Sequence, residues 1–330
     1  MNVLVTGGGG FLGKALCRKL VERGDRVRSL SRADYPELRE MGVETFRADL
    51  SDPKLLEAVR GCDAVYHAAA KAGLWGPHAE FFRANVSGTA SVIDACLVEG
   101  VPKLIYTSSP SVVFGASGQE GVDESLGYPE SFLASYPETK AEAEQLALAA
   151  NSERLAVVAL RPHLIWGPGD NHILPRLVAR RRAGRLRRVG RGNPLVDSVF
   201  VDNAADAHLL ACDRLPALGG KVYFLSNGEP MPLWDLIDGI LDAAGLPPVE
   251  GTIPAPLAYG LGAALEAVYG LFGIRSEPPM TRFLAKELST PHWFDIGAAK
   301  RDLGYAPKVS IAQGLRLLAE SLQGRTRVLD

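Results

Sequence analysis

Cysteine is scarce in this chain. Its 330 residues hold four, Cys17, Cys62, Cys96 and Cys212, too far apart to make a Cys-x-x-Cys pair. That spacing argues against a zinc or disulfide framework and fits a reducing compartment. The six histidines stand in no spacing with Asp or Glu that suggests a metal. An excess of one charge is missing too: the formal net charge is −2, so no global field points to nucleic acid. Met1 leads straight into an apolar run with no cationic leader or cleavage site, so no secretory signal is expected and a cytoplasmic location is. What is abundant is apolar surface, 47% of residues against 22% charged, which suits a globular protein with a full core. The length allows one large α/β domain with a smaller lobe, or two domains.

Glycine is locally abundant. TGGGGFLG, Thr6 to Gly13, carries five glycines in eight residues. The run before it, NVLV, reads as a buried parallel strand, and KALCRKLVERG after it as a helix ended by Gly24. A second strand follows at 26–30. The glycines therefore sit on a strand-to-helix turn inside a βαβ unit, where a dinucleotide is held. Gly7 permits the tight turn, Gly10 lets a pyrophosphate approach the backbone, and Gly13 lets helix and strand pack closely. Phe11 and Leu12 open the helix whose free N–H groups would meet the phosphates. The spacing is G-x-x-G-x-x-G.

The end of the second strand reports on the cofactor. Ser31 stands about where an NAD enzyme carries an acid, and Arg32 follows it. A serine accepts a 2′-phosphate and an arginine pairs with it, so NADP is preferred, with NAD the alternative. Arg28 and Arg47 are further candidates. A third strand at 43–49 places Asp49 and Leu50 beside the adenine. A fourth at 63–67 runs into Ala68, Ala69 and Ala70, small enough for a flat ring to lie on. A fifth spans 104–107. Strands alternating with helices predict a doubly wound parallel sheet (Rossmann) with ligand at the strands' C-terminal ends, and a smaller C-terminal substrate lobe.

SSPS at 108–111 follows the fifth strand, at that ligand edge. YPETK at 136–140 then opens a helix, with Tyr136 and Lys140 four apart on one face. Reducing a ketone needs a proton for its oxygen. A tyrosine can give one, though its ordinary pKa of ~10 is high. A nearby lysine ammonium would lower it, and a serine hydroxyl would hold the substrate oxygen.

These motifs, with HAAA (67–70), Asn85 in ANVSGT and RPHLIWGPGD (161–170), resemble the extended short-chain dehydrogenase/reductase superfamily along nearly the whole chain. The resemblance implies a catalytic set of Ser109, Tyr136 and Lys140, with Lys140 also on the nicotinamide ribose and Asn85 as a structural fourth member. Ser109 is preferred to Ser108 because the family pattern has valine three residues on, and Val112 fits. Arg161 and Pro162 would lie against the nicotinamide. Within the superfamily the chain is similar to the 3β-hydroxysteroid dehydrogenase group. It resembles in particular bacterial 2-alkyl-3-oxoalkanoate reductases of long-chain olefin biosynthesis, on segments such as AAKAGLWG (69–76), LSNGEPMP (225–232) and PPMTRFLAKELSTPHWF (278–294). The implied reaction is NADPH-dependent reduction of a 2-alkyl-3-oxo acid. Alternatives are oxidation of a 3β-hydroxysteroid or sterol-4-carboxylate, nucleotide-sugar epimerisation or reduction, and a non-enzymatic nucleotide-sensing or membrane-scaffold protein. The implied division is residues 1–170 for NADP, with the chain returning to the main sheet at about 197–203 and 222–227, and 171–330 mainly for substrate.

The second half suits an apolar substrate, and the resemblance implies that this substrate bears a carboxylate. Residues 253–274 carry one charge, Glu266, and read as a core helix, a cleft wall or a helix lying on a membrane. Residues 176–191 hold eight arginines, read as a solvated face or a cationic patch for an acidic partner or lipid headgroups. Lys71, His163, Arg176 and Arg282 are candidates to meet the substrate carboxylate, with His163 and His172 also readable as loop or core histidines. A homodimer through helices at about 80–98 and 137–150, a complex with other enzymes of the pathway, and peripheral contact with a membrane are compatible partners. No metal is expected.

Overall fold

The computed structural model describes residues 1–115 and 117–329, the last five by backbone alone. β1 (Asn2–Thr6) is short because Gly7 ends it; Val3, Leu4 and Val5 are fully buried. Four more strands follow in the first half: β2 (Arg26–Ser31), β3 (Glu44–Arg47), β4 (Ala64–His67) and β5 (Lys103–Thr107). With Ala156–Pro162 and Val222–Leu225 they form a seven-stranded sheet, all parallel, in which β1 sits between β2 and β4. The order runs outward both ways from β1 and β4, so a crevice opens where their C-terminal ends diverge.

Alternation along the strands divides the core in two. Val3 and Val5 join one cluster, beneath the helices Phe11–Glu22 and Val201–Arg214. Leu4 joins the other, beneath Gly88–Glu99 and Ser135–Ala149. The first two helices are clamped by Lys19–Asp206 at 2.7 Å and Arg18–Asp202 at 2.6 Å. The four cysteines are buried free thiols, two in each cluster.

The second half returns to the main sheet only through Val222–Leu225. The stretch expected to return at 197–203 does not. Val199–Phe200 pairs instead with Ile165–Trp166 in a separate two-stranded sheet, and Val201 then starts a helix. This half also holds a four-stranded sheet, Met231–Pro232, Leu195–Val196 and His292–Phe294 with Gln119–Val122 from the first half, and helices that include Ile173–Arg182, Leu233–Ala243, Ala255–Leu271, Arg282–Glu287 and Ile311–Leu329. The long apolar segment is not a core helix: within Ala255–Leu271 only Ala258 and Gly262 are buried. Among the described residues no helix is long and apolar enough to cross a membrane.

Candidate active site

A cavity of about 580 Å³ runs from the β1 turn across the ends of β4 and β5 into the second half. Its floor at β1 has no space for side chains. Gly7 has a φ of +72°, and a Cβ there would lie 2.8 Å from the Cα of Ala69. A Cβ on Gly13 would lie 2.0 Å from the carbonyl oxygen of Gly7. Gly10 donates its N–H to that carbonyl at 2.8 Å and stands as the cap of the helix Phe11–Glu22. The cap makes no side-chain hydrogen bond and the first turn carries no acid, so the positive helix end is left for a ligand. Ala68, Ala69 and Ala70 form the opposite wall. This cradle fits a dinucleotide pyrophosphate.

At one end the cavity is lined by Ser31, Arg32, Tyr35, Asp49 and Leu50. Ser31 Oγ accepts the Gly9 N–H at 3.0 Å. Among the described residues the Arg32 guanidinium has no partner, and Arg47 Nε donates to the Arg32 carbonyl at 3.3 Å. Arg28 cannot serve here. It lies lower on β2, bonded to Glu44 at 3.0 Å and to the carbonyl of Arg60 at 2.6 Å.

At the other end stands Tyr136, in the first turn of Ser135–Ala149, with Lys140 one turn on. Burial raises the Tyr136 phenol above its ordinary value, a hydrogen bond with Ser109 draws it back, and the charge of Glu287 raises it further. Ser109 is held by Ser111, whose Oγ lies 2.9 Å away. Ser108 is the more buried serine, and its Oγ has no partner among the described residues. Among the described residues no hydrogen bond joins Lys140 to Tyr136. Its Nζ donates to Tyr106 Oη and to the Thr107 carbonyl, both at 2.6 Å. Burial pushes Lys140 down to about 7, against the opposing pull of Glu144. Asn85 lies in a π-helical turn, Arg83–Ser87. It accepts the Lys71 N–H at 2.7 Å and donates to Thr139 Oγ1 at 3.0 Å, tying the loop after β4 to the Tyr136 helix.

Pro162 lines the cavity, but Arg161 does not. Successive residues of a strand point to opposite faces, and Arg161 points under the sheet. There it forms a two-pronged ion pair with Glu144, at 3.0 and 2.6 Å, with Tyr128 Oη on the same carboxylate at 2.7 Å. The carboxylate candidates are likewise engaged. Lys71 pairs with Glu80 at 2.9 Å, Arg176 with Glu277 at 2.5 Å, and His163 with Asp197 at 2.5 Å. Arg282 lies outside the main cavity, paired with Glu266 at 2.5 Å. His172 is exposed at the rim. Among the described residues no cluster of His, Cys, Asp or Glu is placed to hold a metal ion.

The model of the 3-beta hydroxysteroid dehydrogenase/isomerase family matches residues 4–254. The chain belongs to that family. A 2-alkyl-3-oxoalkanoate reductase of Stenotrophomonas maltophilia is 53% identical to it, over 97% of this chain and 99% of that one. A 2-alkyl-3-oxoalkanoate reductase of Shewanella oneidensis is 47% identical, over 97% and 86%. The crystal structure of UDP-glucuronic acid 4-epimerase from Bacillus cereus, in complex with NAD, shares the fold at a TM-score of 0.76 and 22% identity, over 98% and 99%. This 3-beta hydroxysteroid dehydrogenase/isomerase family member is an NAD(P)-dependent oxidoreductase of the extended short-chain dehydrogenase/reductase class.

The 3-beta hydroxysteroid dehydrogenase/isomerase fold also brings to the cavity residues whose part in the site the sequence did not reveal. Tyr35 packs its ring where a side chain on Gly9 would be, 2.0 Å from an added Cβ. Phe114, Phe283, His292, Phe294 and Glu287 line the end facing Tyr136. They come from three stretches, the end of 110–114, the helix Arg282–Glu287 and the strand His292–Phe294, and no local spacing joins the first to the other two.

Proposed function

We propose that the protein reduces a 2-alkyl-3-oxo carboxylic acid to the 3-hydroxy acid with NADPH, as a step of long-chain olefin formation. The observation that carries this reading is the near full-length similarity to two reductases named for that substrate. The phenylalanine-lined cavity end opposite Tyr136 suits two alkyl chains. Bound nicotinamide would supply the hydride. Ser109 would orient the ketone oxygen, Tyr136 would give it the proton, and Lys140 would hold the ribose and recharge Tyr136. Asn85 would fix the distance between loop and helix. Support for NADPH comes from Ser31 and the unpaired Arg32 at the cavity edge. Cofactor absorbance tests the reading: NADP⁺ or NAD⁺ is offered with a 2-alkyl-3-hydroxy fatty acid, with a 3β-hydroxysteroid and a UDP-sugar alongside. Oxidation of the fatty acid alone supports it, and turnover of the steroid alone replaces the substrate. Arg32→Ala should raise KM for NADP⁺ about tenfold or more, the value of a charged hydrogen bond to phosphate, and leave NAD⁺ unaffected.

Reversible contact with an anionic lipid surface is a second part of this reading. The outer face of Ala255–Leu271 carries no charge, and Leu257, Leu261, Val268 and Leu271 are exposed on it, followed by Phe272. Arginines flank both its ends: Arg187 and Arg188 beside 251–253, and the exposed Arg275 just beyond Phe272. An apolar face rimmed by cations is the pattern of a helix lying on a membrane. Pairing of two copies through the helices Gly88–Glu99 and Ser135–Ala149 also belongs to the reading, and light scattering would test it.

A further inference from the structure

The substrate proposed above carries a negative carboxylate one carbon from its ketone, so that charge must sit close to Tyr136. The basic side chains lining this end of the cavity already have partners. Lys71 is held by Glu80, Arg176 by Glu277, His163 by Asp197, and Lys140 by Tyr106 and Thr107. Arg32 lies at the opposite, nucleotide end. One group does stand there with no hydrogen-bond or ion partner among the described residues: the carboxyl of Glu287, last residue of the short helix Arg282–Glu287. It is near enough to Tyr136 for its charge to raise the phenol. Phe283 of the same helix is buried beside it, edge-on to Phe114 at 5.7 Å. The residue is half-buried and its carboxyl opens into the cavity, where a ligand can replace water as its partner.

We propose that Glu287 is the anchor of the substrate carboxylate, its O–H donating a hydrogen bond to one carboxylate oxygen while Tyr136 and Ser109 hold the ketone. The inference rests on the functional reading above. The shared proton stays between the two carboxyl groups, and no bond is made or broken by Glu287. Its place in the wall agrees with its chemistry, because burial pushes its pKa up to about 8 and keeps it protonated at neutral pH. The titratable and charged groups around it are few. Tyr136 and Lys140 face it from Ser135–Ala149. His292 comes from the strand His292–Phe294 and His163 from beside it. His172 and Arg176 stand at the start of Ile173–Arg182. From Ala255–Leu271 come Glu266, spent on Arg282, and Tyr259, which lies 5.6 Å under Lys286. Burial pushes His292 down to about 4, so it is neutral over the range that matters.

A donor below its pKa becomes a repelling anion above it. KM for the acid should therefore be flat to about pH 8 and climb about tenfold per pH unit beyond it, with the climb in KM and not in kcat. The experiment follows NADP⁺ reduction by a 2-alkyl-3-hydroxy fatty acid from about pH 6 to about pH 10 in the wild type, Glu287→Gln and Glu287→Ala. Glu287→Gln keeps a donor that cannot ionise. Its KM should rise about threefold at neutral pH and lose the alkaline climb. Glu287→Ala should raise KM about ten- to a hundredfold at neutral pH. The methyl ester of the same acid, which has no charge to be repelled, should show a clearly shallower alkaline climb with the wild type, and a climb equal to that of the acid overturns the pairing of the two carboxyl groups. An unaltered climb in Glu287→Gln, or an unaltered KM in Glu287→Ala, overturns the inference and leaves the reductase reading standing. A wild type that oxidises the steroid and ignores the acid overturns both.

Discussion

The two ends of one cavity are built in opposite ways. The nucleotide end is made by backbone: at Gly7 and Gly13 a single added carbon would strike a Cα or a carbonyl, and at Gly10 it would crowd the Gly7 carbonyl at 3.2 Å. The substrate end is made by side chains from distant stretches, Phe114, Phe283, Glu287 and Phe294, packed on short helices and strands. A backbone-built site is rigid and intolerant of substitution. A side-chain-built site can be re-cut without disturbing the sheet, which is how one fold serves steroids, keto acids and sugar nucleotides.

Variants can break this contrast or sharpen it. The largest effect is expected at the sheet itself. Arg161 and Glu144 are an ion pair buried on both sides, so Glu144→Gln leaves an uncompensated guanidinium and should cost about 3–5 kcal/mol, read from urea unfolding. Equal stability of wild type and variant would mean that the pair is hydrated in solution. Next comes Gly13→Ala, whose Cβ meets the Gly7 carbonyl at 2.0 Å. Overpacking of this kind should cost about 1–3 kcal/mol and, by lifting the helix start, weaken NADP⁺ binding measured by fluorescence titration. Normal cofactor affinity in that variant would remove the backbone from the account of the nucleotide end. Smallest is the outer face of the second half. Leu261→Ser with Leu271→Ser should shift stability by no more than about 0.5 kcal/mol, because neither residue is buried. The same pair should abolish co-sedimentation with phosphatidylglycerol vesicles, and retention of vesicle binding would point to the arginines alone.

The contrast also governs what could be read from the residues. The β1 turn and the Tyr136–Lys140 helix were legible because each obeys a local rule, a glycine where no Cβ fits or a spacing of one helical turn. The parallel sheet was legible from alternating strands and helices. Arg161 and Arg28 were misplaced because a cation's type does not tell which sheet face it takes, while strand alternation does. Lys71, His163, Arg176 and Arg282 were free in the sequence and are engaged in the structure, by acids 9 to 101 residues away. The return at 197–203 failed because two short strands paired with each other outside the main sheet. Composition showed that 253–274 is apolar, but not what medium it faces. Glu287 lay within a segment that marked the family, 278–294, but nothing there singled it out, since one glutamate beside a lysine in a helix reads as solvated surface.

Gly262 joins the two subjects, the exposed helix and the carboxyl inside. A Cβ there would lie 2.6 Å from the backbone carbon of Thr281, so the long helix and the cap of the Glu287 helix touch main chain to main chain. No compressible side chain lies at that joint to take up slack. Arg282 and Glu266 bolt it from the side at 2.5 Å. The outer helix and the helix that carries Glu287 thus meet as one stiff bracket, its outer arm facing away from the core and its inner arm set in the cavity wall.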